Sequence, residues 1–181
     1  MPNEKVIKES LQRLYDANAV ILDSETTGFS KNDEIIDLAL ISFQTGQVIF
    51  QEYFIPEVKI NPFAERVHKL TIPKLINLGA KQLKDYQPTF NLLFSSEYPI
   101  IAYNADFDKR LLNQSIERHI GESATIKKHW HCAMKAYHML NGKQVKLDEA
   151  CANFNISAGH HSAEKDCISL RKLLLRIINE V

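Results

Sequence analysis

The length of 181 residues fits one domain with room for a substantial core, and 45% hydrophobic residues, 24% charged residues and six glycines are the composition of an ordinary globular protein. Lys plus Arg equals Asp plus Glu and the sequence pI is about 7.1, so no global field draws the chain to nucleic acid or to a membrane, and any polyanion must be held locally. Cys132, Cys151 and Cys167 are odd in number, widely spaced and without a CxxC pair, which argues against a disulfide framework or a structural zinc site and for a reducing compartment, the cytoplasm. No run approaches the ~18 apolar residues of a membrane span, and the N-terminus leads into an amphipathic segment rather than a signal sequence.

From Glu4 to Asp16 apolar residues recur at helical spacing, with Asn3 as the expected N-cap. Val20, Ile21 and Leu22 then read as a buried strand that runs into Asp23-Ser24-Glu25-Thr26-Thr27-Gly28. After a polar loop, Ile35 to Phe43 and Val48 to Ile55 predict two further strands joined by the turn at Gln44–Gln47, hence an antiparallel hairpin. Pro56 to Pro88 is punctuated by Pro62, Pro73 and Gly79 and predicts loops and small helices around a cleft, followed by a helix at Phe90–Phe94 and a short strand at Pro99–Tyr103. Helices are expected over Phe107–Ile120, ended by Gly121, then over Trp130–Leu140 and Leu147–Phe154, and last over Ala163–Ile178. No repeat or linker interrupts this series, so the chain predicts a single α/β domain with a mixed sheet.

Chemistry enters through four acids. Asp23 and Glu25 stand two apart on a strand and so point to one face, where like charges repel and are costly to desolvate. Such a pair taken alone is more often a strand end whose acids simply reach solvent, and other acids must join it before a metal is implied. Asp108 shares a helical stripe with Leu111, Leu112 and Ser115, whereas Asp106 falls on the opposite side and suits an N-cap or solvent role. A first-turn Asp is also what a helix dipole favours by itself. Asp166 lies on one stripe with Leu170, Leu173 and Ile177, with no basic residue on that stripe to pair it, so a metal competes there with an ion pair from elsewhere in the fold. His161, five residues earlier and beside His160, is placed to reach the same cleft as a base near neutral pH. His129, His131 and His138 have no such context and read as surface or core residues.

Asp23-Ser24-Glu25-Thr26-Thr27-Gly28, Asn104-Ala105-Asp106-Phe107-Asp108 and His161-Ser162-Ala163-Glu164-Lys165-Asp166 resemble, in order and spacing, the motif set of the DEDD exonucleases, in the branch whose third motif carries histidine. That family includes the proofreading subunits of bacterial replicative polymerases and ribonuclease T. The resemblance implies a ribonuclease H-like α/β fold, a five-stranded mixed sheet flanked by helices, and 3′→5′ hydrolysis of single-stranded DNA ends to nucleoside 5′-monophosphates. It also implies two Mg²⁺ or Mn²⁺ ions about 3.5–4 Å apart held by Asp23, Glu25, Asp108 and Asp166, with His161 as the base. By the same resemblance Thr26, Thr27 and Gly28 hold the terminal nucleotide, Phe29 offers a stacking surface, and His68 and Asn104 lie on the substrate side. Two positions depart from the family pattern: Tyr103 stands where a histidine often precedes the second motif, and Val67-His68-Lys69-Leu70-Thr71 replaces a common His-Gly-Ile-Thr.

The same chemistry on RNA 3′ ends is the nearest alternative, because nothing visibly reads a 2′-hydroxyl. A non-catalytic module binding a nucleic-acid end or a polymerase is the other, although it would not need all four acids and the histidine. Lys127, Lys128, Lys135 and the stretch Lys81–Lys84 offer phosphate contacts or plain solvated surface. A DNA polymerase subunit is an implied partner, and the chain's end just after the last helix favours a stand-alone nuclease or a subunit bound through its surface.

Overall fold

Two aliphatic runs, Val20–Leu22 and Ile35–Ile41, form the middle of a sheet in the computed structural model of the chain, which describes residues 2–159 and 161–180, and the side chains among them from Glu4 onward. In chain order the elements are α1 (Pro2–Asp16), β1 (Val20–Thr26), β2 (Ile35–Ser42), β3 (Val48–Tyr53), α2 (Pro62–His68), α3 (Ile72–Asn77), α4 (Gln87–Ser95), β4 (Ile100–Ala102), α5 (Ala105–His119), β5 (Trp130–Cys132), α6 (Ala133–Asn141), α7 (Leu147–Ala152) and α8 (Ala163–Glu180), with single 3₁₀ turns at Leu83–Tyr86 and Glu122–Ala124. The five strands lie in the order β3-β2-β1-β4-β5; β1, β2 and β3 pair antiparallel, while β4 and β5 run parallel to β1.

Side-chain alternation along the strands builds two cores. Ile21, Ala39, Ile41 and Ile101 face α1, α6, α7 and α8, where they meet Leu11, Tyr137, Cys151, Leu170 and Leu173. Leu22, Leu38, Leu40 and Ile100 face the other way, onto Leu111, Leu112 and Ile116 of α5 and the aromatic group Phe50, Phe54, Tyr86 and Phe90. Each such aliphatic burial stabilises by roughly 1.5–3 kcal/mol, so both central strands are fixed in register by what lies on either face.

Two local expectations are corrected. The helix starts at Pro2, so Asn3 falls within it instead of capping it. Trp130–Cys132 is not the first turn of a helix but the fifth strand, paired in parallel with Ile100–Ala102, and α6 begins directly at Ala133. α6 ends at Gly142, which at φ 72° donates its amide to His138 O at 2.7 Å, a left-handed close that suits a residue without Cβ. Among the described residues no helix is long and apolar enough to cross a membrane.

Candidate active site

Of β1, only Val20 and Ile21 pair with the short β4, so the rest of β1 projects past it and leaves an opening beside Asp23, Ser24 and Glu25. Open sheets expose ligand sites where strand order reverses direction, and β1 is that point, parallel to β4 on one side and antiparallel to β2 on the other. A register shift follows Glu25 directly: Glu25 lies opposite Asp37 but Thr26 lies opposite Ile35. Such bulges turn a strand end away from its partner.

Asp23 and Glu25 share the face of Ile21, turned towards α8, where Asp166 is buried on the stripe of Leu170, Leu173 and Ile177. Asp108 is buried on the stripe of Leu111, Leu112 and Ser115, and its Oδ1 accepts from Ser24 Oγ at 2.8 Å. Both helical stripes therefore deliver their acid to the end of β1. Asp106, on the far side of α5, is exposed and pairs with Lys135 at 2.7 Å. Exposed His161 stands on the loop before α8, and one ligand atom each from Glu25, His161 and Asp166 lie within 4.8 Å of one another. His160 lies outside the described residues. A cleft of about 200 Å³ is lined by all four acids, His161, Asn104 and Phe107, and by Lys146 and Asp148 from the start of α7.

Among the described residues none of the four acids forms an ion pair with Lys or Arg. Burial, then Asp108, Glu25 and Asp166, push Asp23 well above the carboxylate range. Burial and the charges of Asp166, Asp37 and Asp108 raise Glu25 to about 8. Burial raises Asp108 to about 7 against the lowering effect of the Ser24 hydroxyl. Asp166 is raised too, burial outweighing the pull of His161. Asp166 Oδ1 is buried with no hydrogen-bond partner among the described residues, and the backbone of Gly159 presses so closely on that carboxylate that a Cβ there would collide with it. A set of hard oxygen donors, mutually repelling and missing one partner, fits a divalent cation.

The expected substrate residues divide. Asn104 and Phe107 border the cleft, and Phe29, 59% exposed, leads an open aromatic group in which its ring lies 6.2 Å from Phe63 and 5.9 Å from Phe107. These rings flank a wider extension of the cleft that also reaches His161 and Lys146. Thr26 and Thr27 point inward: Thr26 Oγ1 donates to Gly28 O at 2.7 Å, and Thr27 Oγ1 donates to Asp33 Oδ1 at 2.8 Å and accepts from Glu34 N at 2.9 Å. Gly28 packs against the Asp33 carboxylate, leaving no space for a Cβ. His68 is buried beneath this segment; its Nδ1 accepts from Leu70 N at 3.0 Å, which leaves Nε2 to donate to Thr26 O at 3.2 Å. Its place is behind the Thr26 backbone, not on the cleft wall. Tyr103 donates its hydroxyl to Val145 O at 2.7 Å and thereby holds the loop that carries Lys146. Of the basic residues singled out from sequence, Lys128 donates to Ser96 O and Tyr98 O, and Lys135 binds Asp106; the lysine on the cleft is Lys146.

Asp37 was not among the expected site residues. It is buried opposite Glu25, and burial lifts it to about 6. Its signal was a lone charge in the run Ile35-Ile36-Asp37-Leu38-Ala39-Leu40-Ile41, which otherwise reads as a fully buried strand.

A model of the exonuclease family matches residues 20–174, most of the chain and all three motifs, and the chain belongs to that family. It is therefore an exonuclease, an enzyme acting on nucleic acid, and its three motifs have the DEDD pattern. An exonuclease of Escherichia phage 186 is 27% identical over 175 residues, covering 89% of this chain and 88% of that protein. A PolC-type DNA polymerase III of Clostridium perfringens is 26% identical over 164 residues, which is 88% of this chain but 11% of the polymerase. Two solved structures share the fold: exonuclease X in complex with 5′-overhanging duplex DNA (TM-score 0.68, 24% identity, 89% of this chain and 91% of that one) and E. coli exonuclease I in complex with a dA16 oligonucleotide (TM-score 0.70, 17% identity, 90% and 42%). A 3′-exonuclease that recognises a histone mRNA stem-loop superposes as well, with a TM-score of 0.68 at 17% identity over 90% of this chain and 81% of that one.

Proposed function

We propose that the chain is a single exonuclease domain that removes nucleotides one at a time from the 3′ end of single-stranded DNA, releasing nucleoside 5′-monophosphates. The observation that carries this is the convergence of Asp23, Glu25, Asp108 and Asp166, none ion-paired with Lys or Arg among the described residues, at one end of β1 beside a cleft edged by aromatic rings. The four acids would hold two Mg²⁺ or Mn²⁺ ions. Bound there, such ions polarise the scissile phosphate, acidify the attacking water and stabilise the leaving 3′ oxygen.

The remaining work falls to the chain's own groups. His161, exposed at the mouth, accepts the proton of the attacking water as the new P–O bond forms and the P–O3′ bond breaks. Ser24 holds the orientation of Asp108. With the hydroxyls of Thr26 and Thr27 committed inside the protein, the Thr26–Gly28 segment meets the terminal nucleotide through its backbone, which His68 supports from behind. Phe29 and Phe107 offer faces on which bases stack, each worth roughly 1–3 kcal/mol without reading sequence, and Asn104 and Lys146 border the sugar–phosphate path.

DNA is favoured over RNA because the PolC relative is a DNA polymerase by name and the exonuclease X and exonuclease I structures hold DNA, while the histone mRNA exonuclease keeps RNA as the rival. The PolC relationship supports association with a polymerase. Matched 5′-labelled single-stranded DNA and RNA oligonucleotides, digested in Mn²⁺, test the assignment: a ladder shortening from the 3′ end is expected to appear faster on DNA, and a hundredfold preference for RNA overturns the choice of sugar. Asp23→Ala is expected to abolish cleavage with its circular dichroism unchanged; retained cleavage refutes the ion-binding assignment.

A further inference from the structure

Resting on the reading of the four acids as ion ligands, we propose that Asp37 is a positioning residue of this site: its carboxylate ties the first residue of α8 to β2 and thereby sets Asp166 and His161 relative to Glu25. Asp37 is 1% exposed and lies on the α8-facing side of β2, directly across from Glu25 in the antiparallel register. Both its oxygens are occupied. Oδ1 accepts from Gln51 Nε2 of β3 at 3.1 Å, and Oδ2 accepts from the backbone amide of Ala163 at 3.2 Å. The donors come from the neighbouring strand and from the helix start, so this acid links three elements instead of turning towards the cleft, and it does not line that cleft.

Ala163 is the first residue of α8, and its amide is one that a helix leaves without an internal partner. Asp166 follows within the same turn, closing it with its own amide on Ser162 O at 2.9 Å. Beyond that turn α8 meets the sheet through the non-directional contacts of Leu170, Leu173, Leu174 and Ile177, through Cys167 Sγ at Ile21 O and Ala39 O, and through Arg171, which donates to Phe43 O at 2.8 Å and Gln44 O at 2.6 Å past the far end of β2. The Arg171 bonds hold the helix about two turns from its start, so the ligand-bearing end still needs a directional hold of its own. Ion coordination needs its ligands held within about 0.5 Å. The Asp37–Ala163 bond is directional, and it acts at the ligand-bearing end of the helix. It also bears on His161, because Gly159 and His161 each lie close to the Asp166 carboxylate, next to the helix start that the bond holds.

Direct Mn²⁺ binding to the full chain by calorimetry, with kcat measured at saturating Mn²⁺ and the melting temperature alongside, tests the proposal. Removal of a residue that orients a metal ligand costs about 10–100-fold in metal affinity, so Asp37→Ala should weaken Mn²⁺ binding by at least about tenfold and lower kcat even at saturating ion. Asp37→Asn keeps an oxygen for Ala163 N, and Gln51 can turn its amide to meet the new donor. It should bind Mn²⁺ within a few-fold of wild type. Asp37→Ala binding like wild type overturns the proposal, and so does Asp37→Asn failing as badly as Asp37→Ala, since the charge and not the anchoring bond would then be what matters. If Asp37→Ala does not fold, Gln51→Ala takes its place, and unchanged Mn²⁺ affinity in that variant overturns the proposal. The ligand reading itself fails separately: Asp23→Ala must abolish Mn²⁺ binding, whatever Asp37 does.

Discussion

Buried acids occur at two places along the β1–β2 hairpin, and they are treated in opposite ways. Glu34, at the start of β2, is 1% exposed and fully partnered. Its Oε1 meets Arg118 Nη1 at 2.5 Å, and its Oε2 accepts from Glu57 N at 2.9 Å with His119 Nε2 at 3.3 Å. Arg118 also donates to Asn32 O, while Gln114 and Arg110 of the same helix donate to Ser30 O and Phe29 O, so α5 straps down the whole loop that presents Phe29. At the end of β1, Asp23, Glu25, Asp108 and Asp166 form no ion pair with Lys or Arg among the described residues, and Asp108 accepts from a serine hydroxyl instead. Burial of an acid is therefore not the mark of the site. Burial without a counter-charge is, because a fold keeps that arrangement only where something else supplies the charge.

Replacing one acid from each place gives the largest expected contrast. Asp23→Asn should cost at least ~10³-fold in kcat, a conservative share of the several kcal/mol that bound ions contribute. Its metal-free melting temperature should hold or rise, since one of several repelling charges is gone. Glu34→Ala should do the reverse. It strands His119 and Arg118, and although Arg118 is 30% exposed and can turn to water, about 2–3 kcal/mol of stability is lost, a fall of about 5–10 °C for a chain of this size. Calorimetric scans in chelator decide between them: equal falls in both variants would mean that the two clusters do the same structural work.

His161 tests where the ligand set ends. Its ligand atom lies with those of Glu25 and Asp166, which is compatible with a base beside the ions or with a fifth ligand. As a base, His161→Gln should lower kcat by about 10²-fold and leave Mn²⁺ affinity within a few-fold of wild type. Collapse of Mn²⁺ binding in that variant moves His161 into the ligand set.

Which of these features the sequence disclosed follows from the range of the interaction. Asp108 and Asp166 were legible because a helix repeats every 3.6 residues, so a charge on an apolar stripe is visible from its neighbours alone. The pairing of Asp23 and Glu25 was legible from strand alternation. Trp130–Cys132 was not, because a three-residue strand passes into α6 with no Gly, Pro or polar turn to separate them. The buried ring of His68 and the Glu34–Arg118–His119 group depend on partners far along the chain, which no local period reports, while the inward hydroxyls of Thr26 and Thr27 find theirs in the irregular loop from Gly28 to Glu34, which has no period to read. Asp37 sits between these cases: its oddity is local, but its bond to Ala163 spans 126 positions.

The smallest effect expected, and the one that reads the unpaired cluster as a whole, is on stability against pH. Glu25 is raised to about 8, Asp108 to about 7 and Asp37 to about 6, all above the ordinary carboxylate value near 4 that the unfolded chain shows. Between those limits the folded chain holds protons that the unfolded chain has released, so stability falls as pH rises from about 4 to about 8 and levels off beyond. The melting temperature in chelator should accordingly drop by several degrees between about pH 5 and pH 8. Saturating Mn²⁺ should remove that slope, because the ion replaces the protons that the acids would otherwise retain and binds more tightly as they leave. Asp23→Asn should shallow the slope in chelator, while Glu34→Gln, outside the cluster, should leave its shape as it is. A melting temperature that climbs with pH in chelator would mean that the acids at the end of β1 are compensated within the protein after all, and the contrast with Glu34 would be lost.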